Sequence, residues 1–256
     1  ILGINLKSYI DSKYSESNLT GKTIIRYHKS KIDLKHKKIE NKFIISNSKI
    51  RSPIFDSNFT GTINFEPFNF YIDFNAVKLD FYKLITSNIF NFIKISNLFP
   101  VNKKINGSFT FNIKNFKNKL KKINTARALL EFKNGVLDIK DFNLFLDNIV
   151  NINLDGSIYM KKERKFFDFK SRIKVINNQK FYSKLLVPKK RRKSKIDISL
   201  EGKLNMDNNK LFIDYFSNNK NQLNEQKLKF LNSEINSYVS KKSYEEIFNI
   251  FNFRLF

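Results

Sequence analysis

Most of the chain alternates apolar and polar side chains with a period of two. Residues 105–113, INGSFTFNI, set Ile105, Phe109, Phe111 and Ile113 on one side and Asn106, Ser108, Thr110 and Asn112 on the other. Val150, Ile152, Leu154 and Ile158 repeat the scheme, as do Phe167, Phe169, Ile173 and Val175, and Ile196, Ile198, Leu200, Leu204 and Met206. Successive side chains of a strand point to opposite faces, so these runs predict half-buried antiparallel strands with one apolar and one solvated face. Asn134-Gly135 between two apolar runs predicts a two-residue hairpin turn. Helical spacing is confined to three places: 80–95 (Phe81, Leu84, Ile85, Ile89, Phe92, Ile93), 178–186 before Pro188, and 225–254. In the last, Leu228, Leu231, Ile235, Tyr238 and Val239 share one face, and Ser243 to Glu246 has the pattern of a capping box.

Glycine sharpens this picture because the chain has only seven. Five of them, Gly21, Gly61, Gly107, Gly156 and Gly202, sit in one small pattern: an apolar residue, a polar residue, Gly, then renewed alternation. They stand 40, 46, 49 and 46 residues apart and share the apolar phase of their strands. The spacing predicts supersecondary units of about 45 residues stacked along a line, with glycine where a strand bends or a neighbour approaches closely. The fold class expected is mainly β, an elongated, curved antiparallel sheet with a few amphipathic helices. The expected organisation is a β-repeat domain over 1–215, with a helix insertion near 80–95, and a helical segment over 216–256 that continues in a longer protein.

Composition excludes more than it identifies. With 256 residues the chain is long enough to bury a core, and apolar residues make up 41%. Lys and Arg outnumber Asp and Glu by 48 to 23, a formal charge of +25 that attracts anionic partners. Lys, Asn, Ile and Phe are over-used together, however, as AT-rich codon usage produces, so charge alone names no ligand. Cysteine is absent, which removes disulfides, thiolate metal sites and cysteine nucleophiles. No run approaches the ~20 apolar residues of a membrane-spanning helix. The first residue is Ile and no signal peptide is recognisable, so the chain is expected to be a fragment or a form from which an N-terminal anchor has been removed.

No catalytic or metal-binding constellation emerges, and neither a cofactor nor an enzymatic activity is expected. His28 and His36 lie in lysine-rich alternating sequence without a third ligand and are expected to be solvated. The sharpest local motif is PKKRRKSK at 188–195, a loop whose Lys189, Lys190, Arg191 and Arg192 are candidate contacts for anionic lipid headgroups. It also has the composition of a nuclear-import or phosphate-binding run, which makes a basic nucleic-acid-binding protein one alternative. Against it, Phe109, Phe111, Phe167 and Phe169 have aliphatic neighbours on apolar faces, whereas a stacking platform sets exposed rings among cations. A closed β-sandwich interaction module is the other alternative.

Residues 126–175 resemble the AsmA-like family of Gram-negative bacteria. The likeness lies in a phrase: a strand ending in Asn134-Gly135, then Val136, Leu137 and Ile139, an Asp141-Phe142 step, the LDGSI strand at 154–158, and Phe167 to Phe169. Residues 61–85 look similar as a strand pair leading to a helix. The resemblance implies an inner-membrane-anchored periplasmic protein with a long curved sheet, phospholipid as cargo, a role in outer-membrane biogenesis, and envelope proteins as further partners. It carries no catalytic residue. A lipid tail needs a continuous apolar surface, and each buried methylene contributes about 0.8 kcal/mol. The alternating faces offer such a surface, with Ile105, Phe109, Phe111, Ile113, Ile152, Leu154, Ile158, Phe167, Phe169, Ile198 and Leu200 as candidate groove residues.

Overall fold

The computed structural model describes residues 7–15, 18–53, 55–79, 103–117, 122–184 and 195–240, with Lys189 and Arg192 as isolated positions. Fourteen strands lie among them and form one open sheet in chain order. They are β1 (Lys7–Ser15), β2 (Asn18–Tyr27), β3 (Ser30–Ile39), β4 (Lys42–Arg51), β5 (Phe55–Phe65), β6 (Phe68–Leu79) and β7 (Asn106–Lys117). The series continues with β8 (Lys122–Lys133), β9 (Val136–Leu146), β10 (Val150–Lys161), β11 (Arg164–Val175), β12 (Asp197–Asn205), β13 (Lys210–Asn218) and the two-residue β14 (Asn221–Gln222). Two helices are described, α1 (Asn178–Lys184) and α2 (Glu225–Ser240). The expected mainly-β fold is therefore what the chain adopts, and the sheet is not a closed sandwich or barrel. It departs from antiparallel order at one joint, where β6 and β7 run parallel. A hairpin cannot join parallel strands, and the connection runs through residues 80–102, so the helix expected at 80–95 lies outside the described residues.

Local chemistry accounts for the turns and helix starts. Asn134 and Gly135 both have positive φ, 53° and 82°, which is the two-residue hairpin geometry their sequence predicts. Asn177 and Asn224 act as N-caps: the Oδ1 of each accepts from the backbone N–H three residues on, at Lys180 and Lys227, both at 3.0 Å. The segment 243–246 lies outside the described residues. Position 216, where a helical segment was expected to begin, falls inside β13 of the same sheet, and Phe216 is fully buried.

The helices close one end of the apolar face. Leu231 and Ile235 of α2, Tyr182 of α1 and Ile198, Ile213 and Phe216 of the sheet form the most buried cluster in the protein. The edge itself is closed by side-chain amides. β14 pairs only with Ser217 and Asn218, leaving the backbone of Leu211 and Ile213 open on β13. Asn236 accepts from the Leu211 N–H at 2.9 Å and donates to the Leu211 carbonyl at 2.7 Å. Asn232, one turn earlier, does the same for Ile213, at 2.7 and 3.0 Å. Two asparagines thus stand in for a fifteenth strand and block a site at which another chain would otherwise pair.

Removing this pair of amides is a direct test. In Asn232→Ala/Asn236→Ala, four backbone groups lose their partners, at about 1–3 kcal/mol for each that stays buried. The better helix propensity of Ala offsets roughly 0.5 kcal/mol per site. The variant should show a lower urea midpoint and concentration-dependent association in sedimentation velocity.

Candidate functional site

The register carries one side-chain phase across the whole sheet. Opposed residues form a continuous row: Gly21, His36, Ile45, Gly61, Ile72, Phe109, Leu130, Ile139, Gly156, Phe169, Gly202, Ile213. Four of the five patterned glycines therefore stand in a single line running across the strands. Gly107 stands one row over, between Phe70 and Phe132, in a row that continues through Leu137, Ile158, Phe167 and Leu204. On the other side run Phe59, Phe74 and Phe111, and later Phe142, Leu154, Ser171, Leu200 and Phe216. A fourth row holds Ile25, Ile32, Ile50, Ser57, Ala76, Ile113, Ala126, Leu144, Ile152, Ile173 and Ile198.

These four rows are one apolar face. At roughly 3.3 Å per residue they span about 20 Å along the strands, and from β2 to β13 the face runs roughly 50 Å at about 4.8 Å per strand. Ten of the eleven candidate groove residues lie in these rows; Ile105 precedes β7 and is half-buried outside the paired register. Two of them are not available as groove: Ile198 is buried and Leu200 packs against the same closed cluster under the helices. Ile158 is buried against Leu137 and Met206. Phe109, Phe111, Ile113, Ile152, Leu154, Phe167 and Phe169 remain half-buried, and no described helix packs across β5 to β9. Several further members were not singled out from the sequence, notably Phe59, Phe70, Phe74 and Phe132. The rings of Phe70, Phe74 and Phe132 pack with those of Phe109 and Phe111 at the parallel joint, with centroids 4.7 Å apart for Phe70–Phe109 and 5.0 Å for Phe74–Phe111, and Phe59 stacks on Phe74 at 5.5 Å. The alternation in YIDFNAV was the available signal.

The patterned glycines have a steric cause. A Cβ on Gly156 would meet the Asp168 carbonyl oxygen at 2.6 Å and the Phe167 ring at 2.6 Å, because that ring lies across the glycine. At Gly107, whose φ of 149° excludes most side chains, the Phe70 ring takes the same place. Single-residue bulges stand beside three of the four glycines in the row. The extra residue falls in β4 opposite the Gly61 strand, in β9 opposite that of Gly156 and in β13 opposite that of Gly202. Bulges bend a strand and add twist, and glycine lets the neighbouring strand follow. The spacing of 40 to 49 residues resolves into steps of three, two, three and two strands, with the extra length of the two-strand steps taken up by residues 80–105 and by α1 and its loop.

His36 corrects one expectation. It is 8% exposed rather than solvated, stacks on Phe43 with centroids 4.9 Å apart, covers Gly21, and shares a 3.1 Å hydrogen bond through Nε2 with the Thr23 hydroxyl. His28 lies apart from it, in the exposed turn between β2 and β3. Of the basic run, Lys189 is exposed and Arg192 half-buried, while Lys190 and Arg191 lie outside the described residues. Among the described residues no group of three or more His, Asp or Glu could hold a metal ion, and no helix is long and apolar enough to cross a membrane.

The opposite face is polar and cross-linked over β8 to β13. Arg172 holds Asp197 in a bidentate pair, both bonds 2.8 Å, and this keeps the Asp197 carboxyl below its ordinary value of 3.8 despite partial burial. Burial, with donation to Asp168 at 2.9 Å, raises the Tyr159 phenol. Comparisons with protein-family models, with curated proteins and with solved structures gave no match to this chain.

Two outcomes follow from this geometry. Gly156→Val should lower stability by about 1–3 kcal/mol in urea unfolding, as overpacking displaces Phe167 and the backbone of β11. For Asp197, a depressed folded-state pKa means that its contribution is present above the ordinary value near 3.8 and is lost as pH falls through the lower folded value. Asp197→Asn should therefore flatten the loss of stability below about pH 4 in acid titrations followed by circular dichroism. The exposed Arg172 keeps the effect small and salt-sensitive.

Proposed function

We propose that the apolar face carries acyl chains, and that the chain is a section of an AsmA-like periplasmic protein that moves phospholipid between the inner and outer membranes. One observation carries the reading: four aligned apolar rows on an open sheet whose other face is polar, with Phe59, Phe70, Leu137 and Leu144 buried but Phe74, Phe109, Phe111, Ile113 and Phe132 only half-buried over β5 to β9. A monomeric soluble domain rarely leaves so large an apolar surface uncovered without a partner for it. The dimensions suit an acyl chain. Half of a hydrocarbon core is about 15 Å thick, and the rows span about 20 Å along the strands. Transfer needs no reacting group, only differential burial of methylenes at about 0.8 kcal/mol each. The phenylalanines around Phe109 and Phe111 form a continuous aromatic part of the surface.

The test is lipid co-purification. The purified chain, examined by native mass spectrometry and organic extraction, should carry phospholipid and take up a fluorescent phospholipid analogue from vesicles. Phe111→Lys/Leu154→Lys places two charges in the third row and should reduce uptake at least tenfold while the far-ultraviolet circular dichroism stays β-like. A lipid-free protein that accepts no analogue, or a double variant that loads as the parent does, would remove the proposal.

A further inference from the structure

The polar face differs sharply between the two ends of the sheet. Over β11 and β12 its cations stand opposite carboxylates: Lys170 with Glu201 at 3.0 Å, Arg172 with Asp197 at 2.8 Å, Lys203 with Asp168 at 3.4 Å. Over β2 to β4 the same face opposes cations to cations. Lys22 is the register partner of Lys35, and Arg26, Lys31 and Arg51 follow one another in a single cross-strand row. Within these three strands the only carboxylate on that face is Asp33, which bonds Lys31 at 2.9 Å and has its pKa lowered chiefly by that bond. Asp33 also stands opposite Lys49, and at the two borders Asp11 on β1 faces Lys22 and Asp56 on β5 faces Arg51, which leaves the cations of the patch well in excess of its carboxylates.

Like charges directly opposite each other destabilise a sheet. Codon usage explains an excess of lysine, but it does not explain why cations are neutralised across strands at one end and set against each other at the other. An external anionic surface would relieve this repulsion. No aromatic side chain stands on this face of β2 to β4, so the stacking platform of a single-strand nucleic-acid binder is missing. The reverse side of the same strands carries the first part of the apolar rows, including Ile25, Ile32 and Ile45. We infer that the polar face of β2–β4 docks on the anionic headgroups of a bilayer, and that this end of the sheet is where the cargo surface meets a membrane. The opposite end is closed by α1, α2 and the asparagines on β13. The inference rests on the lipid-carrying reading, and it adds the class of lipid and the end of the sheet.

Vesicle co-sedimentation of the full chain tests it, with phosphatidylcholine vesicles containing or lacking 30% phosphatidylglycerol, at roughly 0.05 M and 0.15 M salt where screening differs. Binding should require phosphatidylglycerol and weaken at the higher salt. Each cation near the surface is worth roughly fivefold in affinity, so Lys22→Gln/Arg26→Gln/Lys35→Gln should bind roughly 100-fold more weakly. Its urea midpoint should be unchanged or raised, since it relieves repulsion. The matched variant Lys170→Gln/Arg172→Gln/Lys203→Gln, with equal loss of charge, should bind within about fivefold of the parent. Equal effects of the two triple variants, binding independent of phosphatidylglycerol, or tighter binding to a random DNA duplex than to the anionic vesicles would each overturn the docking site. Loss of docking with co-purified lipid retained would sink this inference alone; docking without lipid cargo would instead sink the proposed function.

Discussion

Everything in this sheet depends on the pleat keeping its phase. With a side-chain period of two, a slip of one residue at any strand pair would send every later apolar side chain to the wrong face. From β2 to β13 the chain holds the phase through eleven consecutive pairings, including the one parallel joint, where Ile72 meets Phe109 and Phe74 meets Phe111. Where one strand gains a residue, the surplus is confined to a bulge and the freed backbone groups are paired locally. The Ser48 hydroxyl serves the N–H and carbonyl of Lys35 beside the β4 bulge, and Asp155 accepts from the Asp141 N–H in the β9 bulge. A fully buried serine on the apolar face and an aspartate bonded to a bulge on the other follow from that one constraint.

The strands, their inward positions and the glycine phase were legible because alternation is a local property. Phe109 and Leu154 could be placed on one kind of face without knowing which strands adjoin. What the repeat meant was less legible, since 46 residues can be three strands or two strands and an excursion. Direction was hidden too: nothing in residues 68–79 or 106–117 says that these two strands run parallel. His36 looked solvated because its sequence neighbours are lysines, but its own phase is that of Gly21 and Ile45, which bury it. Asn232 and Asn236 went unremarked because asparagine is abundant here; their spacing of four beside Leu231 and Ile235 was the signal.

Charge teaches a related point. The count of basic residues says little, whereas their cross-strand partners say a great deal. Lys170, between Phe169 and Ser171, and Lys22, between Gly21 and Thr23, both occupy the polar phase of an alternating strand. In the sheet, Lys170 faces Glu201 while Lys22 faces Lys35 on one side and Asp11 on the other. Only the register separates a cation set between two carboxylates, as Lys170 is between Asp155 and Glu201, from one set between a single carboxylate and an opposing lysine.

The bulges at Asn47 and Asp141 have a meaning for how such a chain can change over generations. Each is, in effect, a one-codon insertion that the strand has absorbed: two residues oppose one, and everything beyond keeps its face. Both extra positions hold short polar residues at positive φ, 43° and 52°, a conformation Asn and Asp tolerate better than most side chains. The opposite strand has a glycine within reach in each case. A lineage with such sites can gain or lose single residues inside a strand and still inherit the same two surfaces.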